Sequence, residues 1–213
     1  YFREYKLNLS GFQDILTNIV FFFVSIFIFI FSIGPDKETI SILGIGIVWT
    51  LLLLSSTLSL RKFYQDDFES GNLLIMHLNG FSFGFIAILK TFSHFLFVQI
   101  PFLLSIPIAC VLLNIQNDQL IYLLASFTIG SFILSCLGSI SSSMNLMNQR
   151  NFLLGSVIVM IFSVPVIIFS VGIINMEENF NSLINILFGI LLIVFAINPW
   201  ASGICLKLSL ENN

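Results

Sequence analysis

The residue types able to do chemistry are few in this chain, and most of them sit together. Arg61-Lys62-Phe63-Tyr64-Gln65-Asp66-Asp67-Phe68-Glu69-Ser70-Gly71 interleaves aromatic rings with charges of both signs. On a helix, Phe63 and Asp67 lie one turn apart, as do Tyr64 and Phe68, so one face carries aromatics beside acids. Gly71 is a natural stop. Such a face either meets water or docks into a groove of another protein, with aromatic anchors inside a polar rim. Lys90 and His94 follow, one turn apart. His94 reads either as an axial haem ligand or substrate-path contact, or as a histidine hydrogen-bonded to a neighbouring helix. His77 reads as a solvated or packing residue. Ser131, Ser135, Ser139 and Ser143 recur every fourth residue beside Gly130 and Gly138. That stripe lets another helix approach closely and offers hydroxyls for interhelical hydrogen bonds, so it reads as a packing face with a substrate-lining surface as the alternative. Ser55, Ser56 and Ser59 form a smaller group of the same kind.

Other chemistry is missing from the sequence. None of Lys6, Lys37, Lys62, Lys90 or Lys207 follows the glycines of a phosphate-binding loop, so the chain does not hydrolyse ATP by that mechanism alone. Cys110, Cys136 and Cys205 make no CxxC and no Cys/His cluster, which argues against a disulfide framework, a structural zinc site or any resident metal.

The elements that hold these residues follow from composition. The chain has 213 residues, 57% of them hydrophobic and only 9% charged, against about 25% charged in a soluble domain. No formal charge falls between Asp118 and Arg150. The expectation is an all-α integral membrane protein, not a soluble enzyme or a nucleic-acid binder. Six windows are long and apolar enough to cross a bilayer, approximately residues 15–33, 39–60, 91–113, 119–143, 152–175 and 181–204. The first has no small-residue cleavage site and reads as a retained span, and Tyr1 in place of Met suggests a short missing N-terminal piece. With six spans, Arg3, Lys6, Arg61, Lys62, Lys90, Arg150 and Lys207 fall on one side and Lys37 alone on the other. Both termini are therefore expected in the cytoplasm, with the whole chain, residues 1–213, forming one transmembrane domain. Phe2, Tyr5, Leu9, Phe12 and Leu16 recur at three- and four-residue steps, predicting an amphipathic interfacial helix ahead of span one. Apart from His94 no ionisable side chain lies deep in a span, which disfavours an ion-driven transporter. Pro101, Pro107, Pro165 and Pro199 fall inside spans, where each removes a backbone donor and can kink its helix.

Several of these pieces together resemble the haem exporter protein B (CcmB) family. They are Ser32-Ile33-Gly34-Pro35 after span one, Gly46-Ile47-Val48-Trp49 running into Leu54-Ser55-Ser56, and Phe63 to Gly71 followed by Lys90 and His94. The resemblance implies an ABC-2-type, type V exporter-like permease bundle with a cytoplasmic coupling helix. It implies a membrane subunit of the cytochrome c maturation ABC transporter, in a bacterial inner membrane or, alternatively, a mitochondrial one. ATP would be hydrolysed by a separate subunit, CcmA, with two permease copies per ATPase dimer. Haem would be handled with CcmC, CcmD and the chaperone CcmE, whose haem-loaded form the complex releases. Phe63, Asp66, Asp67, Glu69 and Gly71 match the family's cytoplasmic motif, and with Arg61, Lys62, Tyr64 and Phe68 they are the expected ATPase contact. The alternatives are a generic ABC-2-type exporter of lipid, drug or polysaccharide, and a membrane scaffold that transports nothing.

Overall fold

The computed structural model describes residues 2–60, 62–147, 153–175 and 180–211, and these are almost wholly helical. In chain order they form α1 (Phe2–Ile33), α2 (Lys37–Ser59), α3 (Lys62–Glu69), α4 (Asn72–Leu78) and α5 (Phe83–His94). A π turn (Phe95–Gln99) leads into α6 (Ile100–Leu112), followed by α7 (Asn117–Met147), α8 (Leu153–Asn175) and α9 (Phe180–Glu211). Among the described residues six stretches are long and apolar enough to cross a membrane, which is the expected all-α multi-pass class. At 1.5 Å per residue the longest helices reach about 48 Å, more than the ~30 Å of a bilayer core, so their ends stand clear of it.

Local signals account for the boundaries. Asp36 caps α2, its carboxylate accepting from the Glu38 N–H at 3.2 Å and from the Thr39 hydroxyl. Ser82 caps α5 by accepting from the Phe85 N–H at 3.3 Å, so the third membrane helix starts at Phe83 rather than Thr91. The predicted interfacial helix at the N-terminus is not a separate element. α1 runs unbroken into span one, because the single Gly11 lowers helix propensity without ending the helix. Span three is the one interrupted by proline. Pro101 cannot donate, and the π turn ahead of it shifts the bonding so that the Ile100 N–H reaches the Phe95 carbonyl. Pro107, Pro165 and Pro199 stay within continuous helices.

Two apolar clusters hold the bundle. The first joins α1, α2, α6 and the start of α7 around Phe22, Trp49, Phe102 and Phe127. The second gathers Leu60, Phe63, Tyr64, Leu73, Ile86, Leu137, Val166, Leu187 and Leu206 from α3, α4, α5, α7, α8 and α9. α7 runs through the middle and touches both. It can do so because it is lined with small residues: a Cβ on Gly130 would collide with the Trp49 indole, and one on Gly138 would lie 2.6 Å from a Leu60 methyl. α5 and α9 also meet backbone to backbone, a Cβ on Gly84 lying 3.0 Å from the Pro199 carbonyl oxygen. The outward apolar side chains, such as Phe31, Val111 and Trp200, make a lipid-compatible belt.

Candidate coupling segment

At eight residues, α3 is too short to be stable alone, so its position comes from what it packs against. Phe63 and Tyr64 are buried, at 7% and 0% exposure, while Lys62, Asp66 and Glu69 face outward. Of the aromatic rings expected to anchor a partner, Phe63 and Tyr64 are enclosed by this chain itself and Phe68 is half-buried. On α7 the space over Gly138 is filled by Leu60, with the Phe63 ring beside it at 3.9 Å, and the Tyr64 hydroxyl reaches Ser139. Phe63 lies tilted against the His94 ring with centroids 4.8 Å apart, and Phe68 packs partly against the second apolar cluster. Asp67 turns sideways into an ion pair with Lys90 of α5, the two side chains 20% and 27% exposed. Gln65 donates to Glu69 at 2.7 Å along the open side. Gly71 then takes the left-handed conformation, φ +74°, and turns the chain into α4. Arg61, also predicted here, lies outside the described residues, as do Arg150, Glu177 and Glu178 of the predicted loops.

The Tyr64 hydroxyl begins a line of hydrogen bonds through the membrane helices. It lies 2.7 Å from Ser139 Oγ on α7, and Ser139 Oγ lies 3.2 Å from Ser202 Oγ on α9. Ser202 donates to Asn198 Oδ1 at 2.9 Å. Asn198 Nδ2 donates to Thr91 Oγ1 on α5 at 2.8 Å, and Thr91 donates to the Ala87 carbonyl at 2.8 Å. Since Ser202 donates onward, it accepts from Ser139, which in turn accepts from Tyr64. Every hydroxyl in the line is thus satisfied in one direction. Tyr64, Thr91, Ser139, Asn198 and Ser202 are all 0% exposed, where an unmade bond is costly.

A second buried group surrounds His94. Its Nε2 lies 2.9 Å from Ser59 Oγ on α2, and its Nδ1 lies 3.1 Å from Ser135 Oγ on α7. An axial haem ligand needs a ring lone pair facing open space, and both ring nitrogens of His94 are engaged. His94 therefore ties α2, α5 and α7 together. One step deeper, Gln99 donates to Ser56 at 3.1 Å. The predicted serine stripe is wholly buried: Ser135 and Ser139 join these two networks, while Ser131 and Ser143 donate to the Thr128 and Ile140 carbonyls on their own helix. His77 is exposed, its Nδ1 3.2 Å from the Phe81 carbonyl and its ring on Phe83. Among the described residues no three of His, Cys, Asp and Glu converge on a point where a metal ion could sit.

One feature of the site escaped the sequence reading. α4 buries Leu73 but exposes Leu74, Ile75 and Leu78, the last at 75%, directly after the acids of α3. The available signal was the lack of any formal charge between Glu69 and Lys90, in a connection that polar residues would normally fill. Open acids and an open apolar patch thus lie side by side, on a segment whose inner face is keyed into α5, α7 and α9.

The family model described as CcmB protein matches residues 1–209. Heme exporter protein B of Haemophilus influenzae is 28% identical over 213 residues, covering 99% of this chain and 96% of its own. The protein of the same name from Rhodobacter capsulatus is 25% identical over 212 residues, 98% of this chain and 97% of its own. That from Paracoccus denitrificans is 31% identical over 147 residues, 69% and 67%.

Proposed function

The chain belongs to the CcmB protein family, and we propose on that premise that it is the membrane permease subunit of a haem-export complex serving cytochrome c maturation. It spans a bacterial inner membrane with both termini in the cytoplasm, and it works with an ATPase subunit, CcmA, that binds and hydrolyses ATP. Two copies of the permease sit on one ATPase dimer. CcmC, CcmD and the chaperone CcmE handle haem in the same complex, and ATP hydrolysis releases haem-loaded CcmE from CcmC. Haem is cargo of the complex and needs no ligand from this chain, in keeping with the engaged ring of His94.

The observation that carries this reading is the two-sided α3–α4 segment. Its outer side offers Leu74, Ile75 and Leu78 as apolar anchors with Asp66 and Glu69 as a charged rim, the usual anatomy of a protein interface. Phe63 and Tyr64 serve the same purpose from the inner side, fastening the segment to the bundle. Closure of the ATPase dimer on nucleotide pushes on the outer side, and the inner contacts pass that displacement to α5, α7 and α9 as a rigid-body movement.

Deletion of the gene in its host, followed by haem staining of c-type cytochromes, tests the reading. We expect loss of holocytochromes c and their return when the chain is supplied in trans. Intact cytochromes, with a lipid, drug or polysaccharide export defect instead, would reassign the chain to a generic exporter.

A further inference from the structure

We infer that Tyr64 is a positioning residue that passes movement of the α3–α4 segment to α9, through Ser139, Ser202 and Asn198, with Thr91 tying the far end to α5. The inference rests on the reading of α3–α4 as the ATPase-facing segment.

Three observations carry it. First, the line of bonds crosses four separate elements and ends on backbone. It runs from Tyr64 on α3 to Ser139 on α7, Ser202 and Asn198 on α9, then Thr91 on α5 and the Ala87 carbonyl. Each of its side-chain members is fully buried, so no water competes for any bond. Second, the far end has no slack. Gly84 and Gly203 bring the α5 and α9 backbones into contact, a Cβ on Gly203 lying 3.1 Å from the Gly84 nitrogen. A pull on Ser202 and Asn198 therefore moves α5 and α9 together. Third, Tyr64 is firmly seated in α3: its ring lies 4.9 Å from that of Phe63, and α3 is itself held in place where Phe63 meets His94 and Asp67 pairs with Lys90.

The direction of the line makes a clean test. Tyr64 is its first donor, so Tyr64→Phe keeps the ring and leaves Ser139 still able to donate to Ser202. Asn198→Leu breaks the line further along, where Ser202 can turn to a carbonyl of its own helix and Thr91 keeps its bond to Ala87. Both variants, and the double variant, are to be expressed in a host lacking the wild-type chain. Three quantities are read: complex recovered by pull-down, ATP hydrolysis by that complex, and holocytochrome c formed per complex. We expect unchanged recovery and hydrolysis with a fall of about three- to tenfold in holocytochrome per complex, the range that one interhelical hydrogen bond supports. The double variant should be no worse than the poorer single one, because links in series fail once. Wild-type maturation in Tyr64→Phe would overturn the inference, and so would losses that simply follow complex yield or multiply in the double variant. Failure of the wild-type chain to recover any ATPase would overturn the reading of the segment itself, and this inference with it.

Discussion

Reversing the charge of Asp67 discriminates between the two sides of the segment. Asp67 is paired with Lys90 rather than facing outward, and the pair is about three-quarters shielded. Two unit charges 4 Å apart attract by about 4 kcal/mol at an effective dielectric of 20. Desolvation and side-chain ordering take back most of that, and fully exposed pairs are worth only about 0.2–1 kcal/mol. Removing one partner of a buried pair costs about 3–5 kcal/mol. The Asp67–Lys90 pair lies between these limits, so Asp67→Lys, which sets two cations in contact, should loosen α3 from α5 by about 2 kcal/mol. At tenfold per 1.4 kcal/mol, that lowers the share of complexes with α3 seated by about thirtyfold if the seat has little reserve. Lys90→Asp should do comparable damage, and the exchanged pair Asp67→Lys with Lys90→Asp should recover more than half of the loss. The assay is holocytochrome c per recovered complex in a host carrying only the variant chain. Glu69→Arg, which lies on the outer side, should weaken ATPase recovery and gain nothing from Lys90→Asp. Two wild-type-like single variants, or an exchanged pair no better than either, would refute the reasoning.

Four further outcomes follow from the structure. Gly130→Ala should destabilise the purified protein by about 1–3 kcal/mol, read from its thermal midpoint in detergent, because the buried Trp49 indole cannot retreat. Gly138→Ala should cost less, since only the end of the Leu60 side chain has to move. Leu78→Glu should abolish ATPase recovery while leaving membrane insertion intact, because that side chain is 75% exposed and supports nothing inside the bundle. Its hydrogen bond from the Thr39 hydroxyl holds the Asp36 carboxyl below the usual carboxylate value. A depressed folded value means that the cap's contribution is complete above the unfolded value and disappears as pH falls through the folded one. Wild-type thermal midpoints should therefore drop further than those of Asp36→Ala on acidification below about pH 4, the ordinary aspartate value.

Much of the fold was legible because lipid imposes a coarse code. Long apolar runs must be helices, and charges must lie near their ends, so the six spans follow from hydropathy and the short charged helix from its aromatic spacing. What the code omits is direction. Spacing shows that Phe63 and Asp67 share a face, but not that the face meets α5 and α7. That depends on residues far along the chain, Gly138 admitting Leu60 beside Phe63 and Ser139 meeting the Tyr64 hydroxyl. α4 was missed for the opposite reason: seven residues without charge read as a connection rather than an exposed helix. The line through Tyr64, Ser139, Ser202, Asn198 and Thr91 was only half visible. The serine stripe announced a polar packing face, whereas Asn198 and Thr91 are single polar residues whose meeting requires α5 and α9 to be adjacent.

The most direct test of the account is gentle-detergent recovery of the tagged wild-type chain, with ATP hydrolysis measured on the eluate and haem followed by its absorbance. The account predicts a co-purifying ATPase that hydrolyses ATP, together with a haem-bearing membrane partner, and loss of the ATPase alone when Leu78 is changed to Glu. A wild-type chain recovered without any ATPase would contradict the central claim that the α3–α4 segment receives the stroke of a nucleotide-driven partner.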